Sequence, residues 1–273
     1  MQIINLTQSS DVLKISQFSG GETHIRFLET LNPANHYRIF TRLNSSDNIM
    51  QLLLAVDAMR RMDIAHIEVY IPYVPYARQD RVMNSGEPLS IKVLAELLNN
   101  TNFNKVHVLD PHSDVTPALI NNCIISSNHA FVQSAVNKWQ LTNYTLVSPD
   151  LGAFKKIEKL AASLNNSNEI VTGIKIRNLA TGQIIKSDVN CADLAGKDCL
   201  IVDDICDGGR TFIELAKILQ QKNAGKIYFF CTHGIFSHDA VENLHKAGFT
   251  AIATTNSIRE FPNTDFLTVL PIL

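Results

Sequence analysis

The stretch Cys199-Leu200-Ile201-Val202-Asp203-Asp204-Ile205-Cys206-Asp207-Gly208-Gly209-Arg210-Thr211 leaves this chain few ways to fold. An apolar run meets three carboxylates, two glycines and a threonine, and residues 211–219 then carry apolar side chains at helical spacing. Leu200, Ile201 and Val202 are partly β-branched and uninterrupted by polar residues, the pattern of a strand buried on both faces of a parallel sheet. The turn therefore sits at the carboxyl end of a strand and opens a helix. In doubly wound sheets ligands bind at that position, and the helix start points backbone N–H groups at an anion. Gly208 and Gly209 let the backbone approach a phosphate closely, and Thr211 adds a hydroxyl donor. Asp203, Asp204 and Asp207 can accept hydrogen bonds from sugar hydroxyls or hold a hydrated Mg²⁺. An isolated acidic pair or glycine pair reads first as a polar surface turn, but the ordered combination favours a sugar-phosphate loop.

The rest of the chain repeats this grammar. Residues 1–6, 12–18, 23–28, 37–41, 66–71 and 105–109 read as strands, and residues 90–99 as a helix. A further helix follows Asp47 as N-cap, with Ile49, Leu52, Leu53, Val56, Met59 and Met62 on one face. In the second half, strands are expected at 145–147, 169–174, 226–230 and 250–254, and helices at 153–164 and 237–247. Residues 175–189 form an excursion with a hairpin around Thr181-Gly182. Alternating strands and helices over 273 residues describe two similar α/β domains, 1–140 and 141–273, each a mostly parallel sheet flanked by helices.

Composition narrows the partners. The net charge is −2 with 18% charged residues, so no global field draws nucleic acid or an anionic membrane, and phosphate recognition has to be local. No apolar run spans a bilayer, and the start lacks the basic region and cleavage pattern of a signal peptide, which places the expected location in the cytoplasm. Five scattered cysteines without a Cys-x-x-Cys spacing argue for reduced thiols rather than a disulfide framework or a zinc site.

The motif from Asp203 to Thr211 resembles the phosphoribosyl-diphosphate loop shared by phosphoribosyltransferases and ribose-phosphate pyrophosphokinases. Other segments select the second family. Tyr76-Ala77-Arg78-Gln79-Asp80-Arg81 resembles its ATP-binding segment, Asp110-Pro111-His112-Ser113-Asp114 its metal-binding segment, and Ser148-Pro149-Asp150 the start of its second domain. Lys175-Ile176-Arg177 matches the Lys-x-Arg of its catalytic loop. The segments 18–22, 232–237 and 255–258 fall in the family's order too, so the likeness covers nearly the whole chain.

The resemblance implies two phosphoribosyltransferase-type domains and transfer of the diphosphoryl group of ATP to the 1-hydroxyl of ribose 5-phosphate. On this likeness Phe18, Glu22, Arg78, Gln79, Asp80 and His112 contact ATP, and residues Asp207, Gly208, Gly209, Arg210 and Thr211 hold the 5-phosphate. Asp203 and Asp204 would take the ribose hydroxyls directly or through a second metal, His112 and Asp150 would serve the Mg²⁺ carried by ATP, and Lys175 and Arg177 would be catalytic. It also implies a homo-oligomer, a dimer at least and a hexamer at the upper end. His107, His233 and His238 are read as structural or surface residues.

Two departures from the family pattern stand out. The family's Asp-Thr-Gly-Gly-Thr is here Asp207-Gly208-Gly209-Arg210-Thr211, so a hydroxyl is lost and a cation gained. Arg210 can pair with phosphate or point outward. The family's Phe-Ser-Asp-Gly-Glu is Phe18-Ser19-Gly20-Gly21-Glu22, without the acid that a neighbouring subunit lends to ATP binding. A phosphoribosyltransferase would use the loop but not the ATP and Lys-x-Arg segments. A non-catalytic regulatory paralogue would be expected to lose His112, Asp150, Lys175 or Arg177, all of which are present.

Overall fold

A computed structural model describes residues 1–177 and 184–273, with backbone alone over 175–177 and 184–187. The chain forms two compact units, residues 1–127 and 128–273. The division falls earlier than residue 140 because the helix at 129–138 packs Val132, Ala135 and Val136 against Tyr144, Leu146 and Ile157 of the second unit.

The first unit runs β1 (Gln2–Asn5), β2 (Leu13–Gln17), β3 (Thr23–Phe27), β4 (Tyr37–Phe40), α1 (Ser46–Arg60), β5 (Ile67–Ile71), α2 (Ser90–Asn100), β6 (Lys105–Leu109), α3 (Val115–Leu119) and β7 (Cys123–Ser126). Five of these strands make a parallel sheet in the order β1-β4-β5-β6-β7, while β2 and β3 pair only with each other as an antiparallel hairpin. Helix α1 is capped by Ser45, whose hydroxyl accepts from the Asn48 N–H, and Asp47 lies in the first turn instead of at the cap. Leu52, Ala55, Val56 and Met59 carry its buried face, against Ile39, Ile67, Val69 and Ile71.

The alternate positions of the same strands are polar. Glu68 is buried on β5, with Arg38 of β4 donating to its Oε2 from Nε at 3.1 Å and Nη2 at 2.7 Å. His107 Nε2 of β6 lies 2.9 Å from the same oxygen, and Lys105 Nζ and His66 Nε2 approach Oε1 at 3.7 and 3.5 Å. Burial alone would raise the Glu68 pKa, but the hydrogen bonds from Arg38 and His107 and the Arg38 charge hold it at about 2. His107 thus serves structure, as its strand context suggested.

The second unit runs α4 (His129–Lys138), β8 (Tyr144–Ser148), α5 (Phe154–Ser163), β9 (Val171–Arg177), β10 (Ile184–Val189), β11 (Asp198–Cys206), α6 (Arg210–Gln221), β12 (Ile227–Gly234), α7 (Ala240–Lys246), β13 (Phe249–Thr255) and β14 (Leu267–Leu270). Its seven-stranded sheet has the order β10-β9-β8-β11-β12-β13-β14, parallel except for the β9–β10 pair. Cys199 and Ile201 of β11 face one core with α6 and α7, and Leu200 and Val202 face the other with α4 and α5. Both faces are covered, which is why the strand reads as an unbroken apolar run. Helix α7 begins at Ala240 and not at residue 237, because Phe236, His238 and Asp239 have left-handed backbones with φ of 49°, 52° and 56°. The hairpin expected around Thr181-Gly182 lies outside the described residues. All five cysteines are free thiols, and burial pushes Cys199 up to about 12. Among the described residues no helix is long and apolar enough to cross a membrane.

Candidate active site

Most of the sequence-predicted residues follow the carboxyl ends of parallel strands within each unit, while Phe18 and Glu22 lie on the antiparallel β2–β3 turn and Lys175 and Arg177 on β9. In the second unit, β11 ends at Cys206 and the chain turns through Asp207 and Gly208 into α6, with Gly209 as N-cap. Gly209 takes φ 75°, ψ −4°, a conformation that favours glycine, and no side chain caps the helix. A helix start without a side-chain cap presents its first N–H groups to an incoming anion.

Asp204 is buried beside Asp203, and the Asp204 N–H donates to Asp203 Oδ1 at 2.9 Å. Burial, the charge of Asp204 and a side-chain hydrogen bond with it, and the charge of Asp150 together push the Asp203 carboxyl well above the usual carboxylate range. Such mutually repelling acids favour the arrival of a cation or of hydroxyl donors. Among the described residues no three His, Cys, Asp or Glu side chains form a preformed metal cage. The carboxylate oxygens of Asp203 and Asp204 are donors of the kind Mg²⁺ takes beside water and substrate phosphates.

Asp150 follows β8, and its Oδ1 accepts from Gly152 N at 2.9 Å and Ala153 N at 3.1 Å, while Ser148 Oγ donates to the Asp150 carbonyl at 2.7 Å. The loop is backed by Gly173 of β9, where a Cβ would collide with the Pro149 carbonyl oxygen. Gly173→Ala is expected to cost about 3 kcal/mol, read as a Tm lower by roughly 10 °C; an unchanged Tm would contradict the packing described. Lys175 and Arg177 lie on the β9 backbone, in register with Ser187 and Ile184 of β10, so the expected excursion begins as a continuation of β9 and returns antiparallel to it.

Arg210 points outward. Its Nε lies 3.0 Å from Glu214 Oε1, one helical turn on, and the side chain is 91% exposed.

In the first unit, the segment after β5 passes through Tyr76 at φ 63°, an uncommon backbone for an aromatic residue and a form of strain that gathers at functional loops. The Asp80 carboxyl is held below the usual carboxylate range. Burial would raise it, but hydrogen bonds from Ser113 and Arg81, and the charges of Arg81 and His112, lower it. Asp110, at the start of the His112 loop, has φ 41°, so both segments carry strained residues. Ser90, the first residue of α2, donates through Oγ to Gln79 Oε1, and Arg78 is exposed. The β2–β3 turn exposes Phe18, and the Glu22 carboxylate folds over Gly20, 2.6 Å from where a Cβ there would sit.

Sequence reasoning assigned no role to Ser113, Ser90 or Ser237. Ser113 adjoins His112 in the segment 110–114, but only the fold shows that it reaches Asp80. Ser237 Oγ donates to Asp207 Oδ1 at 2.6 Å across thirty residues. His233 is buried with Nδ1 2.8 Å from Ser257 Oγ, a structural role as its reading suggested.

Comparisons with known proteins give the same assignment from two directions. Residues 4–101 match the N-terminal domain of ribose phosphate pyrophosphokinase, and residues 175–264 match the phosphoribosyl synthetase-associated domain. Ribose-phosphate pyrophosphokinase of Mycoplasma pneumoniae is 34% identical over 236 residues, 85% of this chain and 70% of that protein. The protein of the same name from Corynebacterium efficiens is 30% identical over 260 residues, 93% of this chain and 79% of that protein. In fold, the chain superposes on the phosphoribosylpyrophosphate synthetase structure from Mycobacterium smegmatis with a TM-score of 0.84, over 100% of this chain and 95% of the other, at 23% identity. Two parallel-sheet units with their acidic and glycine-rich loops at the strand ends, shared sequence along most of the length, and domain matches in both halves lead to one conclusion: this chain belongs to the ribose-phosphate pyrophosphokinase family.

Proposed function

We propose that the protein is an enzyme that transfers the β,γ-diphosphoryl group of ATP to the 1-hydroxyl of ribose 5-phosphate, giving phosphoribosyl pyrophosphate and AMP. The observation that carries this reading is the glycine-capped helix start after β11, continuous with the acidic pair Asp203-Asp204, in a chain of this family. A phosphate bound at the α6 N-terminus would place a sugar's hydroxyls toward those acids.

The ribose 1-hydroxyl oxygen attacks the β-phosphorus of ATP. The bond from that phosphorus to the oxygen bridging the α-phosphorus breaks, AMP leaves with that oxygen, and the hydroxyl proton is released. Catalysis of such a step is positioning and neutralisation of charge. Residues 207–211 hold the 5-phosphate, with Arg210 turning from Glu214 if it contributes, and Asp203 and Asp204 orient the ribose hydroxyls. Phe18, Glu22, Arg78, Gln79, Asp80 and His112 contact ATP. Lys175 and Arg177 neutralise charge on the transferred group. Mg²⁺, when bound with ATP, offsets phosphate charge, and His112 and Asp150 are the residues we assign to it. The working protein is a homo-oligomer, at least a dimer, in the cytoplasm.

Purified protein given ATP, Mg²⁺ and ribose 5-phosphate is expected to form AMP and phosphoribosyl pyrophosphate in equal amounts, with AMP formation dependent on the sugar phosphate. Chromatographic quantification of both products is the test. Absence of AMP across divalent metals and phosphate concentrations would overturn the proposal.

A further inference from the structure

The connection between β12 and α7 is fastened to the end of β11 in two different ways. Its backbone is held by the N–H groups of Ile235 and Phe236, which donate to the Cys206 carbonyl at 2.8 and 3.1 Å. Its side-chain link is Ser237 Oγ to Asp207 Oδ1, at 2.6 Å the short distance of a hydrogen bond to an ionised acceptor. Ser237 lies two residues before the α7 N-cap, Asp239, and no side chain caps that helix, so the hydroxyl is not spent on helix capping. Phe236, His238 and Asp239 around it all hold left-handed backbones, and a Cβ on Gly234 would collide with the Phe236 ring, so the segment's path is closely determined. Strained backbone kept in one place beside a loop aims a side chain.

We infer that Ser237 is a positioning residue for ribose 5-phosphate, acting through Asp207. By donating to Oδ1, the hydroxyl sets the rotation of the Asp207 carboxylate, and with it the direction from which that carboxylate can accept from a hydroxyl of the bound sugar phosphate. The inference rests on the proposed function. It gives specificity a contribution from the connection after β12, which no motif of the loop itself contains. The structural attachment is carried by the two backbone N–H groups, so loss of the hydroxyl leaves the segment in place.

The test is a double-mutant cycle read by direct binding of ribose 5-phosphate, with wild type, Ser237→Ala, Asp207→Asn and the double variant. Ser237→Ala is expected to weaken binding about tenfold, the scale of one hydrogen bond to a charged group, with Tm and the KM for ATP nearly unchanged. In the Asp207→Asn background the same change is expected to matter less than about twofold, because its target is altered. A Ser237→Ala protein that binds like wild type, or one that loses the same factor in both backgrounds, overturns the inference while leaving the proposed function intact. A wild-type protein that binds no ribose 5-phosphate overturns the proposed function and the inference with it.

Discussion

Arg177→Ala is expected to lower turnover about a thousandfold while leaving ribose 5-phosphate affinity within about twofold of wild type. Negative charge on the transferred diphosphoryl group is redistributed as the bridging bond lengthens, and a guanidinium that meets it at that stage stabilises the transition state more than the ground state. Arg177→Lys keeps the charge but not the planar fork, so partial recovery is expected. Lys175→Ala should behave like Arg177→Ala, and the two losses should not add if both act on one developing charge. Equal losses of affinity and turnover would instead assign these residues to ground-state binding. Steady-state kinetics beside direct binding separates the outcomes.

Glu68→Ala should be the most damaging single change to the first unit away from the site, lowering stability by about 3 kcal/mol. The carboxylate is buried, and Arg38, His107, His66 and Lys105 converge on it from three strands and their approaches. Its removal takes from these cationic groups the counter-charge on which they converge. The same arrangement predicts an acid response. The folded pKa, about 2, lies below the ordinary 4.5, so the stabilisation is fully present above pH 4.5 and is lost as pH falls toward 2. That displacement corresponds to about 3 kcal/mol. Denaturant titrations of wild type and Glu68→Ala at pH 7 and pH 3 check both statements: the gap between the proteins should narrow at pH 3. A gap that stays constant would show that Glu68 contributes by packing alone.

Much of the architecture was legible because burial writes itself into residue order. Leu200, Ile201 and Val202 face cores on both sides, and Ile67, Val69 and Ile71 alternate with Glu68 and Tyr70 across a sheet with one apolar face. Elements went unread where that contrast fades. In β7, Ile124 and Ile125 are 43% and 52% exposed, so an apolar pair there marks no core. Helix α4 buries only Val132, Ala135 and Val136, too few to show a firm period in the sequence. Asp47 and Ser45 are both good cap residues, and only the backbone decides between them.

The site divides in the same way. The loop chemistry of residues 203–211 and the strained turns near Arg78 and His112 sit in contiguous motifs, and contiguous motifs can be read. Contacts that join distant segments cannot. Nothing local to Ser237 points to Asp207.

Diphosphoryl transfer moves two phosphoryl groups from ATP together. ATP labelled at the γ-phosphorus, incubated with the protein, Mg²⁺ and ribose 5-phosphate, should transfer its label wholly into phosphoribosyl pyrophosphate, with unlabelled AMP as the nucleotide product. Label recovered in a ribose bisphosphate alongside ADP, or as free phosphate, would contradict the account.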